Sequence, residues 1–291
     1  MSQSARQPSL SPMRAVWRRL MRCRTNKLAL GFLVLLVVLC VFGPLFSPYT
    51  QDAQDLQLKA AGPSPQHWMG TDQLGRDIVT RILHGGRVSL AVGLLATAVA
   101  SVIGVIYGMI SGLQGGRTDS VMMRLVDILY PFPFVNFVIL LMTVVGREFW
   151  IIFVAIGAVE WLTMARVVRG QVLALKNLEF VLAARATGAG FWHILWKHML
   201  PNVLGTVVIY ASLLVPGVML LEAALSFLGL GIQPPDASWG VLIREGANAM
   251  ATYPWLLLYP GLFFCSTLLA LNLLGDGLRD AFDPKSMAQH D

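Results

Sequence analysis

EFVLAARATGAGFWHILWKHMLPN, residues Glu179 to Asn202, lies between two long apolar segments. It reads as a loop of a membrane protein, yet it is composed like a pair of short helices. Ala183, Ala184, Arg185 and Ala186 are strong helix formers. Gly188 and Gly190 break the run where a helix can end in the left-handed conformation. Phe191, Trp192, Ile194, Leu195 and Trp196 begin a second apolar run, which Pro201 is expected to end. A solvated loop has no reason to carry Phe191, Trp192 and Trp196 together. Two readings stay open for these rings: a docking surface, or a seat in the lipid headgroup zone.

Composition agrees with a membrane setting. Of the 291 residues, 56% are hydrophobic and 13% charged, whereas a soluble domain carries about 25% charged residues. The net charge of +6 does not require nucleic acid, because basic residues gather in cytoplasmic loops of membrane proteins. Cys23, Cys40 and Cys265 have no metal-type spacing and imply no disulfide framework.

Six apolar spans are expected. The basic tail 1–27 precedes the first, 28–46, which is read as a retained helix because Gly43-Pro44 offers no good signal-peptidase site. A hydrophilic extension, 47–87, follows. In it Asp77 is expected to cap a short helix that lies on the membrane and carries Ile78, Val79, Ile82 and Leu83 on one face. The remaining spans occupy 88–276. In the second, Ala96, Ala100, Gly104, Gly108 and Gly112 recur every fourth position, a stripe suited to close helix packing. The third, Val121 to Val145, carries Arg124 and Asp127, expected to pair with each other, and Pro131 and Pro133, expected to kink it. The fourth, Phe149 to Val168, holds Glu160, and the loop 170–202 joins it to the fifth, Val203 to Leu221. A second extension, 222–254, opens with the apolar piece Ala223 to Ile232, read as a re-entrant or interfacial segment. Gln233-Pro234-Pro235-Asp236 then turns the chain, and the last span, Trp255 to Leu274, leads to the tail 277–291. Of the 22 Lys and Arg, all but Lys59, Arg76, Arg81, Arg87, Arg147 and Arg244 fall on the side that holds both termini and the 170–202 loop. The positive-inside rule puts that side in the cytoplasm.

The residues also carry a resemblance. Ala183, Ala184, Gly188, Leu200 and Pro201 fit the cytoplasmic "EAA" loop of ABC importer permeases. That pattern's leading Glu is Leu182 here, with Glu179 one turn earlier, and its late Ile is His198. The chain further resembles C-type permease subunits of bacterial oligopeptide and dipeptide ABC importers. The matching strings include His67 to Asp72 with Leu74 to Asp77, Gly85 to Leu90, Asp119 to Leu125, Ala165 to Gln171, Ser226 to Gly231, and Gly275 to Pro284. The resemblance implies an all-α integral membrane protein with six transmembrane helices and the type I ABC importer permease fold, in the inner membrane and bathed by its lipid. It implies a homologous B-type permease partner, two ATPase subunits on the loop, and a periplasmic peptide-binding protein outside. Glu179, Ala183, Ala184, Arg185, Gly188, Trp192, Leu200 and Pro201 would then form the ATPase-coupling loop. Related machinery carries nickel, glutathione or other small solutes.

Chemistry of its own is missing from the chain. It has no G-x-x-x-x-G-K-[ST], no H-E-x-x-H and no G-x-S-x-G. His193 and His198 have no acidic or thiol partner at ligand spacing. No bound cofactor is expected; ATP and Mg would be used by partner subunits. A secondary transporter would need inverted repeats and several deep ionisable groups, and only Glu160 is placed deep.

Overall fold

The computed structural model describes residues 12–145, 149–233 and 236–282, and every regular element within them is a helix. In order these are α1 (Pro12–Leu20), α2 (Arg24–Phe46), α3 (Ile78–Gln114), α4 (Gly116–Leu129), α5 (Phe134–Val145) and α6 (Phe149–Leu175). Then come α7 (Glu179–Ala186), α8 (Phe191–His193), a π-helical turn (Ile194–Met199), α9 (Leu200–Phe227), α10 (Trp239–Ala249) and α11 (Trp255–Phe282). Among the described residues four helical stretches are long and apolar enough to cross a membrane: Arg24–Phe46, Ile78–Gln114, Phe191–Phe227 and Trp255–Phe282.

The central pair is α3 and α9. On one side α6 packs along α3; on the other lie α2 and α11. The stripe residues face α6. Ala96 and Ala100 are fully buried. A Cβ on Gly104 would stand 2.6 Å from Met164 Cβ, and one on Gly112 would stand 2.9 Å from Val172 Cβ. The three glycines thus let two helix backbones approach more closely than any side chain permits.

Several helix boundaries differ from the reading above, each for a physical reason. Asp77 does cap a helix, its carboxylate accepting from Thr80 N at 2.9 Å. That helix does not lie apart on the membrane, however; it runs unbroken into α3. Gly85 and Gly86 sit inside it, where a Cβ would press on Ser238 and on the Trp239 ring. The expected third span is broken, not kinked. α4 ends at Leu129, α5 begins at Phe134, and Pro131 and Pro133 occupy the gap, where they deny the helix its N–H donors. Asp127 pairs with Arg166 of α6 at 2.7 Å, not with Arg124, while Arg166 also stacks over Tyr130.

Pro201 does not end the second apolar run either. The π-helical turn directly before it shifts the hydrogen-bond ladder, and the chain continues helically from Phe191 to Phe227. Consequently Ala223 to Phe227 belongs to α9, not to a separate re-entrant piece. The 222–254 extension also contains α10, capped by Ser238, whose hydroxyl accepts from Val241 N at 3.2 Å. The Pro234-Pro235 turn, Arg147, and the tail from Asp283 onward lie outside the described residues.

Candidate functional site

The elbow formed by α7, α8 and the π-helical turn sits at one end of the bundle. Its local geometry follows from its sequence. Gly188 takes φ +84°, and Ala189 N donates back to Ala184 O at 3.0 Å, closing α7 with a left-handed cap. Gly190 is extended, and its carbonyl accepts from Ile194 N at 3.1 Å, which opens the second helix.

The two faces of this elbow differ sharply. Val181, Ile194, Leu195 and Met199 are buried in one cluster with Val105, Met109 and Leu113 of α3, Met164, Val168 and Val172 of α6, and Val203 and Val207 of α9. The opposite face is open. Trp192 is 60% exposed, and Leu178, Phe180, Leu182 and Trp196 are exposed with it. Of the residues picked out from the sequence, Glu179, Ala183, Arg185, Gly188 and Pro201 are exposed, whereas Ala184 and Leu200 are half-buried. Buried apolar residues thus anchor the elbow to three long helices, while a row of large apolar side chains faces away from the protein. Such a row suits either the surface of a partner or the lipid headgroup zone.

A polar clamp, unforeseen from the sequence, ties α6 to α3 and α4 close to the elbow. Arg169 Nε and Nη2 donate to the two Asp119 carboxylate oxygens at 2.6 Å each, and Ser111 Oγ donates to the same carboxylate. Lys176 Nζ donates to Gly112 O at 3.2 Å. The paired guanidinium holds the Asp119 carboxyl below the usual carboxylate range, with the Ser111 hydroxyl adding to the effect against partial burial.

Two more clusters stand at the far end, around α10. Arg81, 3% exposed, donates from Nη1 to Asp72 Oδ2 at 2.7 Å and to Glu245 Oε2 at 2.6 Å, with Arg76 also on Asp72. Glu222 is fully buried among Ser89, Ser226 and Ser238. The only hint of these in the sequence is the presence of charged residues beside or within apolar runs; two of the contacts, Arg81 to Glu245 and Glu222 to Ser89, join residues remote along the chain. Glu160 is half-buried in α6. The rings of His193 and His198 lie with centroids 5.8 Å apart, tilted 53° to one another. Among the described residues no group of three His, Cys, Asp or Glu is placed to hold a metal ion.

Comparison with known proteins agrees on one kind of relative. Residues 104–287 match the family described as "Binding-protein-dependent transport system inner membrane component", and residues 11–63 match "N-terminal TM domain of oligopeptide transport permease C". The chain is 50% identical to the oligopeptide transport system permease protein OppC of Escherichia coli K12, over 94% of this chain and 92% of that one. It is 49% identical to the protein of the same name from Haemophilus influenzae, over 94% and 89% of the two chains. Against the dipeptide transport system permease protein DppC of Bacillus subtilis the identity is 45%, over 97% and 88%.

Proposed function

The chain belongs to the family of binding-protein-dependent transport system inner membrane components, and from that premise we propose that its elbow receives the stroke of an ATPase and drives the uptake of oligopeptides or dipeptides. It is a multi-pass membrane permease subunit of an ABC transporter and not an enzyme. Its relatives are named for oligopeptide and dipeptide transport, which supports peptides as the cargo here.

In this reading α5 and α6 join the four long apolar stretches to give six transmembrane segments. Both termini and the elbow face the cytoplasm, following the distribution of Lys and Arg, and α10 faces outward. Two ATPase subunits, which bind ATP and Mg, work beneath the membrane. A homologous B-type permease completes the pathway, and a periplasmic binding protein delivers cargo.

The observation that carries the proposal is the two-faced elbow. Its inner side is packed on α3, α6 and α9, and its outer side shows Trp192, Trp196, Phe180 and Leu182. A push on the outer face is passed to three membrane helices together, because packed interiors transmit displacement and do not absorb it. When the ATPases close on ATP, the elbow moves with them and the two permeases rock between inward-open and outward-open states. A peptide carries charges and a polar backbone, so its pathway should be wet and weakly binding, since tight sites would stall release.

Reconstitution tests this directly. Vesicles holding the chain with its permease partner and ATPases should take up peptide from the binding protein only when ATP and Mg are present. Uptake by the chain alone, without a nucleotide-hydrolysing companion, would overturn the proposal.

A further inference from the structure

Glu222 lies near the end of α9 and has no exposed surface. Among the described residues its hydrogen-bond partners are three serine hydroxyls. Ser226 Oγ and Ser238 Oγ each donate to Oε1 at 2.7 Å, and Ser89 Oγ lies 3.5 Å from Oε2. Among the described residues no cation pairs with it.

These hydroxyls belong to three elements: Ser89 to α3, Ser226 to α9 itself, and Ser238 to the N-cap of α10. Two of them carry a second bond into the first turn of α10. Ser238 Oγ accepts from Val241 N at 3.2 Å, and Ser89 Oγ accepts from Trp239 N at 3.1 Å. The same serines that hold Glu222 therefore satisfy the open N–H groups of α10. The backbones close in around this node. A Cβ on Gly240 would stand 2.6 Å from Ala223 Cα, and one on Gly85 would stand 3.2 Å from the Ser238 carbonyl carbon. Trp239 is fully buried and donates its indole N–H to Ile82 O at 2.9 Å.

Holding helices together does not require a buried carboxyl. Well-packed apolar side chains are often as stable or more so. A fully satisfied polar network does something apolar packing does less well: it fixes one relative placement of the groups it joins. What it joins here is specific. The helical path from Phe191 to Phe227 is unbroken, so Trp192 of the elbow and Glu222 lie on one continuous helical path, about 45 Å along its axis at 1.5 Å per residue. No loop lies between them to absorb a displacement. α10 is joined in sequence to α9 only through the connecting segment beyond Phe227, so what it does when α9 moves is set by its packing and polar contacts.

We infer that Glu222, through Ser89, Ser226 and Ser238, is the positioning residue that makes α10 move with α9, so that the far end of the pathway opens and closes in step with the elbow. The inference rests on the importer reading above and deepens it. Glu222 touches no cargo in this account. It sets the fraction of ATP hydrolysis events that become transport events.

The test uses the complete reconstituted transporter and reads peptide molecules imported per ATP hydrolysed. Glu222→Met keeps the bulk and removes both oxygens. It should lower that ratio about tenfold, the scale set by leaving buried hydroxyls without their acceptor, while ATPase activity stays within about twofold of wild type because the elbow is untouched. Glu222→Gln keeps Oε1 for Ser226 and Ser238 and places an amide toward Ser89, so it should retain most of the ratio. A purely space-filling role predicts that Met and Gln behave alike, and that result overturns the inference, as does a wild-type ratio in Glu222→Met. If Glu222→Met does not assemble, the Ser89→Ala/Ser238→Ala pair supplies the same readout, and an unchanged ratio there overturns the inference equally. Failure of the wild-type complex to couple ATP to uptake would instead remove the importer reading beneath it.

Discussion

Gly188 gives the sharpest access to the elbow, because its demand on the chain is conformational alone. It stands at φ +84°, and a Cβ built there meets nothing within 4 Å. Any cost of a side chain inside this protein is therefore backbone strain and not a clash. An L residue in the left-handed region costs about 1–2 kcal/mol, which reduces the population of the correctly bent elbow by a factor of roughly 5–30. Asn tolerates that region better than Ala or Val, since its short polar side chain bonds locally. The expected order of ATP-driven uptake is thus Gly188 wild type, then Gly188→Asn, then Gly188→Ala, then Gly188→Val, with membrane insertion equal in all. The assay is uptake and ATP hydrolysis by the reconstituted complex, normalised to inserted protein. Asn is larger than Ala, so an order that followed volume, with Gly188→Asn below Gly188→Ala, would refute the turn argument. Wild-type uptake in Gly188→Trp would refute the assignment of this surface to docking.

Three further outcomes follow from the geometry. Gly108→Val places a side chain where even a Cβ would stand 2.5 Å from Ala165 O and 3.0 Å from Arg169 N; forcing α3 and α6 apart should cost about 1–3 kcal/mol, seen as a lower midpoint of thermal inactivation in detergent, and an unchanged midpoint would show that the stripe is not in close contact. Leu195→Ala empties a fully buried position under the elbow and should cost about 2–5 kcal/mol, visible as faster hydrogen exchange over residues 179–199 and reduced uptake per ATP; exchange confined to wild-type rates would contradict the anchoring. Asp119 is held below the usual carboxylate range by Arg169, so the stability it lends is present above the unfolded value, about 4, and is lost as pH falls through the lower folded value. Asp119→Asn should therefore be less stable than wild type at neutral pH and show a flatter acid profile below about pH 4, measured by thermal unfolding across pH; equal slopes would refute the clamp.

What the chain reveals without a structure is what lies close together along it. The helix-forming run 183–186, the left-handed Gly188 and the cap at Asp77 are each set by a few neighbouring residues, and each appears at those positions. The α3 stripe has the four-residue spacing of one helix face, and that face is the one buried on α6. Arg124 is not the partner of Asp127, because three-residue spacing permits a pair without requiring it, and Arg166 of α6 offers a guanidinium at 2.7 Å. Pro201 misleads for a related reason. The rule that proline ends a helix assumes an α-helical ladder before it, and the π-helical turn at Ile194–Met199 changes that ladder.

Glu222 is the most instructive failure, since one physical rule explains both the misreading and the role. A carboxyl in an apolar run marks the end of a span because burying it unpaired is costly. That logic places the boundary of the fifth span at Leu221 and sets the segment after it apart. The cost is offset here by Ser226, one turn on in α9 itself, by Ser238 at the cap of α10, and by Ser89 of α3, distant in the chain. Only the Ser226 part of that offset lies within the apolar run itself. Two of the three hydroxyls on Glu222 come from other elements, so the place where hydropathy misjudges this span is also a place where separate helices are joined. Arg81 follows the same pattern at the start of α3, reaching Glu245 of α10 across the fold. Both joints converge on α10, and neither serves the elbow end. Two independent polar joints on one short helix mean that α10 is fixed by direction as well as by burial, which is what a part moved by remote force requires.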